Sequence, residues 1–188
     1  METLDKIRTG LMNGSIKLAK VVAKPFYQKE YWPYYHEDLH HFPPQSVGYE
    51  MVRYLDSKGF KLVENYELHD VKHILTGYEM NTLGEIRLQC YLYGNGNHSL
   101  PATLSLGFGL CIIPEHVITF YRDLKRGMKA RSLSNLDYAA LALENLEEAR
   151  KALNIREQAQ EPENIFQWTM NLFKKVILST FITISYSK

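Results

Sequence analysis

Apolar side chains recur at helical spacing along most of this chain, and this periodicity limits the folds that the chain can adopt. After Ser46, for example, Val47, Met51 and Leu55 follow one another at intervals of four residues, which places them on one face of a helix. Outside the last few residues we find no convincing run of the alternating pattern that is typical of strands. The sequence therefore predicts an all-α fold, a single-domain bundle of about seven helices.

Proline, glycine and capping residues divide this pattern into separate helices. Pro25 ends the first, and an irregular aromatic segment follows up to Pro43 and Pro44. Gly59 is placed to end the second helix in a left-handed cap. The predicted helices are Leu4 to Lys24, the segment from after Ser46 to Gly59, Val63 to Thr76, Thr82 to Tyr93, Pro114 to Met128 and Asn135 to Leu153.

Size and charge narrow the class of protein further. The 188 residues, of which 45% are hydrophobic and 23% charged, are enough for one domain with a sizeable core, so we predict a single domain over 1–188. With 22 basic and 21 acidic residues the net charge is +1, which argues against nucleic acid as a partner. Cys90 and Cys111 form no Cys-x-x-Cys pair, and no apolar run follows a basic start, which together predict a cytoplasmic protein.

The two ends of the chain have the composition of surface-binding segments. No stretch reaches the roughly 18 uninterrupted apolar residues of a spanning helix. Leu4 to Phe26 and Ile165 to Tyr186 nevertheless combine apolar residues with lysines. They predict peripheral contact with the inner face of the membrane, although apolar ends could equally serve a homodimer interface.

His69, Asp70 and His73, followed after eleven further residues by Glu85, carry the most chemical information in the chain. On a helix, residues at i and i+4 share a face and i+1 lies about 100° round, so the first three side chains can converge. Glu85 follows the Gly77 turn near the start of the next predicted helix, close enough to add a fourth ligand. Two imidazoles with carboxylates suit zinc, iron, cobalt or manganese better than calcium.

A structural interpretation competes with the metal site. Thr82 and Glu85 have the spacing of a capping box, and for Glu85 alone that interpretation is favoured. A histidine on an amphipathic helix is also usually a surface or hydrogen-bonded residue. Burying two histidines beside an aspartate, however, is costly unless a proton or a cation satisfies them. Spacing alone leaves both interpretations open.

The segment around these residues resembles the Coq4 family of coenzyme Q (ubiquinone) biosynthesis proteins. The family's signature is a His-Asp pair, a second His three residues on and a Glu after eleven more, and the chain has each at the right distance. Other matching residues are Leu75-Thr76-Gly77, Leu83-Gly84-Glu85-Ile86, Leu100-Pro101, Ser46-Val47-Gly48-Tyr49-Glu50, Arg53-Tyr54-Leu55 and, more weakly, Gly127, Ala130, Leu133, Tyr138 and Glu144. The resemblance covers a core at 43–155, preceded by an N-terminal helix and aromatic segment at 1–42 and followed by a divergent tail at 156–188.

The resemblance implies that the four signature residues bind a divalent metal beside an apolar tunnel for an isoprenoid tail. It implies work at the membrane on polyprenylated quinone precursors. Two functions follow from it: oxidative decarboxylation of a polyprenylated hydroxybenzoate, or a noncatalytic lipid-binding scaffold for a complex of biosynthetic enzymes. It assigns no catalytic residue. The chain departs from the family at Lys72, where an aromatic or apolar residue is usual, and at Gln89, where a lysine is usual.

Other clusters are weaker candidates. His36, His40 and His41 lie among aromatic residues and could bind a metal or line a ligand mouth, but an aromatic flap over the core or an interfacial anchor is the favoured interpretation. A basic stretch could bind a phosphate or an anionic lipid, although a solvated helix face is the default; it comprises Arg122, Lys125, Arg126, Lys129 and Arg131. His98 and His116 are predicted to be surface residues. A phosphohydrolase of the His-Asp type ranks last because its additional ligands cannot be assigned.

Overall fold

Helices and the turns between them make up the part of the chain that the structure describes. A computed structural model describes residues 31–99, 102–104 and 113–158, together with Gly10, Gly14 and Gly107. Its helices are α1 (His36–Leu39), α2 (Val47–Ser57), α3 (Glu67–Thr76), α4 (Thr82–Gly94), a 3-10 turn (Pro114–His116), α5 (Val117–Lys129), α6 (Tyr138–Leu141) and α7 (Leu146–Ala152). Within these residues there is no strand, which confirms the all-α prediction.

Several helix ends lie where the sequence predicts them. The Ser46 hydroxyl accepts a hydrogen bond from the backbone N–H of Tyr49 at 3.2 Å and so caps the start of α2. Gly59, with φ of +69°, follows the end of α2, and Gly77, with φ of +77°, ends α3. Glycine adopts this left-handed conformation without a steric penalty, which explains why the helices end there.

Three predicted elements are wrong. Helix α3 begins at Glu67 rather than Val63, and α1 lies inside the segment predicted to be irregular. The long helix predicted over Asn135 to Leu153 is divided into α6 and α7. Between them the chain pairs with the start of α2, because the N–H of Val47 donates to the carbonyl of Glu144 at 2.9 Å. The side chain of Asn145 then caps α7.

One main hydrophobic core is formed by residues of α1, α2, α3, α4 and α7, together with the segment before α6. A smaller cluster, formed by Ile86, Cys90, Ile113 and Phe120, lies between α4 and α5. The largest fully buried members of the main core are Tyr91, Leu39, Met51, Leu55, Leu75, Leu88, Val47, Val52 and Val71. Helix α4 contributes to both clusters and so links them.

Helices α4 and α5 make the most extensive helix–helix contact of the described elements. Two glycines allow their backbones to approach closely: a Cβ on Gly127 would lie 2.0 Å from the carbonyl oxygen of Tyr91, and one on Gly94 would lie 2.1 Å from that of Leu124. The side-chain amide of Asn95 donates to the carbonyl of Gly127 at 3.1 Å. These contacts fix α4 against α5.

Arginine side chains satisfy the last carbonyls of α3. Arg150 of α7 donates to the carbonyls of Ile74 at 2.8 Å and Leu75 at 3.0 Å. Arg126 of α5 donates to that of Thr76 at 2.8 Å. Carbonyls at a helix C-terminus have no partner within the helix and carry partial negative charge, so guanidinium groups stabilise them. Helix α3 is thereby held from two sides.

Apart from Gly10 and Gly14, the predicted helix Leu4 to Lys24 lies outside the described residues, as do the C-terminal segment Ile165 to Tyr186 and most of Leu100 to Ile113. Among those that are described, no helix is both long enough and apolar enough to cross a membrane.

Candidate metal centre

Helix α3 and the first turns of α4 bring three of the four predicted ligands together. Nε2 of His69 lies 3.2 Å from one carboxylate oxygen of Glu85, and Nε2 of His73 lies 3.4 Å from the other. The two imidazole rings are 4.8 Å apart between centroids. A nitrogen or oxygen atom from each of the three residues falls within 4.8 Å of the others, as the ligand atoms of a single metal ion must. We call these residues the His-His-Glu cluster.

The protonation of His73 follows from its surroundings. Its Nδ1 lies 3.0 Å from the carbonyl oxygen of Tyr78, which can only accept, so Nδ1 carries a proton. In a neutral imidazole Nε2 then has a lone pair, and this atom is fully buried without a hydrogen-bond partner among the described residues. It faces the Glu85 carboxylate, which is also an acceptor. An electropositive group between Nε2 and the carboxylate would satisfy both.

Charge is concentrated around the other histidine. Burial by itself lowers the pKa of His69, but the negative charges of Glu85 and Asp70, together with the hydrogen bond to Glu85, raise that pKa to about 9. Burial conversely raises the pKa of Glu85, and this effect is outweighed by the charge of His69 and by interactions with both imidazoles, so that the pKa lies far below its ordinary value. The cluster thus stabilises a positive charge beside the Glu85 carboxylate.

The capping-box interpretation of Glu85 is wrong. The residue that caps α4 is Asn81, whose side-chain oxygen accepts a hydrogen bond from the N–H of Gly84 at 2.9 Å. Thr82 is therefore already inside the helix, and Glu85 lies one residue beyond the position from which a capping box reaches back. The Glu85 carboxylate faces the histidines instead.

Asp70 lies beside the cluster. Its carboxylate is 3.8 Å from Nδ1 of His69, the ring nitrogen opposite the one that faces Glu85. It does not join the set of mutually close ligand atoms found among the described residues. A carboxylate in this position can accept the Nδ1 proton of a metal-bound histidine and so fix the orientation of its ring.

The donor set fits a divalent transition metal. Two imidazoles and one carboxylate are the protein ligands of one common type of catalytic zinc site, which keeps a further position for water or substrate. The Nε2 atom of His73, which has no hydrogen-bond partner within the described residues, is an independent sign, since a buried nitrogen of a neutral imidazole without a donor is costly. The residues present therefore fit such an ion, whose identity the donor types leave open.

A second group of potential ligands, formed by His36, His40 and Asp56, is satisfied in another way. Nδ1 of His36 accepts a hydrogen bond from the N–H of Leu62 at 3.2 Å, so the proton of its neutral ring is on Nε2. Nε2 then donates to Asp56 at 3.0 Å. A histidine that uses one nitrogen as an acceptor and the other as a donor has no lone pair left for a metal. This group is a hydrogen-bonded network.

The remaining candidates differ in exposure. His41 and His98 are exposed, and His98 lies against the ring of Tyr93 with centroids 4.6 Å apart. His116, predicted to be a surface residue, is half-buried against Phe120. Lys72, at a position where the chain departs from its predicted relatives, places its ammonium 5.2 Å from the centroid of the Tyr138 ring.

Comparison with known proteins identifies the family. The family model described as coenzyme Q (ubiquinone) biosynthesis protein Coq4 matches residues 52–159, which include the entire His-His-Glu cluster. The chain belongs to the Coq4 family. The match confirms the resemblance predicted from the signature residues. No curated protein matched the chain in the search.

The fold of this Coq4-family chain is also found in a solved structure. A crystal structure from Nostoc punctiforme PCC 73102, of a protein described provisionally as a ubiquinone biosynthesis protein, superposes with a TM-score of 0.56 and 19% identity. The match covers 78% of this chain and 82% of the Nostoc chain. At this level of identity the similarity shows that the two share a fold.

Proposed function

We propose that this protein acts in coenzyme Q biosynthesis, and that it removes the ring carboxyl group of a polyprenylated hydroxybenzoate with the help of a divalent metal. Membership of the Coq4 family supports the pathway. The observation that carries the metal dependence is the position of His73 Nε2, a buried atom 3.4 Å from the Glu85 carboxylate that makes no hydrogen bond within the described residues.

His69, His73 and Glu85 would hold the ion, which is zinc, iron, cobalt or manganese by donor type. When bound, it would supply Lewis acidity to an oxygen of the ring carboxylate or hydroxyl group. Three protein ligands are compatible with an open position for that oxygen. Asp70 would accept the Nδ1 proton of His69, and the Tyr78 carbonyl that of His73, so each imidazole offers Nε2.

The reaction requires no protein nucleophile. The bond between the ring and its carboxyl carbon breaks, carbon dioxide leaves, and the electron pair stays on the ring carbon, which takes a proton from water. In the oxidative form, one atom of dioxygen replaces the carboxyl group, and the other is reduced to water by two electrons from an external two-electron reductant and two protons from solvent. The side chains of His69, His73 and Glu85 are at most 17% exposed in the part of the chain that the structure describes. This burial limits the access of bulk water to the cluster. Low exposure strengthens electrostatic interactions there.

The product of the purified protein tests this proposal. We would reconstitute the full-length chain with each candidate metal, add a short-chain polyprenylated hydroxybenzoate in air enriched in heavy dioxygen, with and without ascorbate as the reductant, and identify the products by mass spectrometry. The proposal predicts loss of the carboxyl group, with heavy oxygen incorporated if the reaction is oxidative. Glu85→Gln should abolish turnover, whereas His98→Ala, an exposed histidine away from the cluster, should retain it.

A scaffold would give a different result. If the loaded protein binds the prenylated acid but releases no carbon dioxide with any of the four metals, the catalytic proposal is contradicted and a noncatalytic isoprenoid-binding function is favoured. Peripheral membrane contact, partners in a biosynthetic complex and a homodimer stay predictions.

A further inference from the structure

A cleft of about 260 Å³ lies along one face of α5, and its lining, in the part of the chain that the structure describes, does not include the His-His-Glu cluster. Helix α5 supplies most of the lining, α4 one residue and the segment after α7 two. The cationic residues outnumber the acidic ones by six to two; they are Arg87, Arg122, Lys125, Arg126, Lys129 and Arg156. We call this feature the basic cleft.

Helical spacing explains why these side chains share a face. Thr119, Arg122, Arg126 and Lys129 stand at i, i+3, i+7 and i+10 on α5, which aligns them along one stripe of the helix. Like charges at this spacing repel each other by a few tenths of a kcal/mol per pair. Their alignment therefore has an electrostatic cost that a bound anion would remove.

The acidic residues of the cleft leave most of this charge uncompensated. Asp123 is already engaged, because it accepts hydrogen bonds from the Tyr78 hydroxyl at 2.7 Å and from Nε of Arg87 at 2.8 Å. Among the described residues, Arg122 and Lys129 form no ion pair with a carboxylate. The basic cleft has a net positive charge at neutral pH.

Two buried donors of the basic cleft have no partner among the described residues. One is Oγ1 of Thr119, a residue only 3% exposed, and the other is Nη1 of Arg126. The guanidinium of Arg126 is fixed, since its other nitrogens donate to the carbonyls of Arg156 at 2.6 Å and Thr76 at 2.8 Å. The rings of Tyr78 and Tyr91 lie about 5 Å from its centre. Nη1 is thus held in place without an acceptor in the part of the chain that the structure describes.

We propose that the basic cleft binds a phosphate group. A cleft with an excess of guanidinium and ammonium groups selects an anion, and the planar fork of arginine matches the oxygens of a phosphate. A tetrahedral anion with several acceptor oxygens would pair with the exposed cations and, once the side chains that cover Oγ1 and Nη1 move aside, would also accept from these two donors. The volume is slightly below the range of typical small-molecule sites and suits a head group better than a whole lipid.

The stability of α5 does not explain these features. Cations near a helix C-terminus interact favourably with the helix dipole, which accounts for Arg126 and Lys129 in the last turn. That effect has no need of Thr119, which lies at the other end of the helix. Nor does it account for a buried guanidinium nitrogen that has no acceptor among the described residues. A phosphate site explains both.

Calorimetric titration of the full-length protein with inorganic phosphate tests the proposal. A chelator is present, and His73→Ala is titrated in parallel, so that phosphate bound to a metal is excluded. The proposal predicts saturable binding that His73→Ala leaves unchanged. Arg122→Gln, at an exposed position, should weaken it roughly tenfold because a hydrogen bond to a charged group is lost. Arg131→Gln makes the same change in charge outside the cleft and should have no effect.

Thr119→Val separates a built site from a solvated basic surface. It removes one buried donor without changing the charge. A phosphate site therefore predicts that the variant binds phosphate severalfold more weakly, whereas a solvated surface predicts no change in affinity. Co-sedimentation with phosphatidylcholine vesicles, with and without phosphatidylglycerol, identifies the source. If vesicles that contain phosphatidylglycerol retain the protein and Thr119→Val weakens this retention, the ligand is a lipid head group. If the protein binds free phosphate saturably but is not retained by the vesicles, the ligand is a soluble compound. If no phosphate binds and vesicle retention is the same for wild type and Thr119→Val, the proposal is overturned.

Discussion

Nδ1 of His73 donates a hydrogen bond to the backbone carbonyl of Tyr78, 3.0 Å away, and so turns Nε2 toward Glu85. The carbonyl is presented by the turn that follows α3, where Gly77 adopts a φ of +77°. The orientation of a candidate metal ligand thus depends on a glycine that is not itself a ligand. A change at this turn should therefore affect the cluster.

Gly77→Ala should weaken metal binding as well as the fold. A side chain in the left-handed conformation costs about 1–2 kcal/mol, and relief of this strain would move the Tyr78 carbonyl. Gly59→Ala is the matched control, since Gly59 has a φ of +69° at the end of α2 and open space around it. Both variants should lose similar unfolding free energy in urea, but only Gly77→Ala should lose metal affinity by calorimetry. Equal affinities would contradict this dependence.

Arg150→Ala should destabilise the protein more than an ordinary surface arginine does. Its guanidinium satisfies two carbonyls at the end of α3, and each hydrogen bond to a charged group contributes about 1.5–3 kcal/mol. Arg53→Ala removes an exposed arginine paired with Glu50, a contact worth at most about 1 kcal/mol. Urea unfolding should separate the two variants by about 2 kcal/mol or more. Similar unfolding free energies would show that Arg150 does not hold α3.

Gly127→Ala should disrupt the contact of α4 with α5. The added methyl group would lie 2.0 Å from the carbonyl oxygen of Tyr91, so the two helices must separate. Overpacking of this kind costs about 3 kcal/mol or more when the backbone cannot yield. Gly94→Ala, on the facing helix, should have a similar effect. Thermal unfolding within a degree or two of wild type for both variants would contradict the close approach of these helices.

The thiol of Cys90 should be inert in the folded protein. Burial raises its pKa from the ordinary value of 9.0 to about 12, and the charge of Asp123 acts in the same direction. The folded state therefore keeps this proton at pH values where the unfolded state releases it, so stability should fall as the pH rises from 9 toward 12. In a Cys111→Ser background, a thiol reagent at pH 8 should react fast only after denaturant is added. Rapid labelling of the native protein would contradict this burial.

Local signals predicted the helices whose ends depend on nearby residues. Ser46, Gly59 and Gly77 determine their own caps, so their positions follow from sequence alone. The division between α6 and α7 depends instead on hydrogen bonds from Val47 to Glu144, across almost the whole described chain. Helical periodicity contains no information about such long-range pairing.

In the candidate site too, local features could be predicted from the sequence and features that depend on other elements could not. The spacing of His69 and His73 was sufficient to place both on one face of α3, but the direction of Glu85 depends on where α4 starts. Thr82 and Asn81 are both good capping residues, and only the structure distinguishes them. The basic cleft was predicted only in part, because Arg87 and Arg156 come from elements far away in sequence.

Metal content tests the central claim most directly. The full-length protein would be stripped with a chelator, reconstituted with zinc or manganese, desalted and analysed by plasma mass spectrometry, with His73→Ala and His98→Ala in parallel and circular dichroism to check that each is helical. We expect about one equivalent of tightly bound metal in wild type and His98→Ala and almost none in His73→Ala. Wild-type metal content in a folded His73→Ala protein would contradict the account.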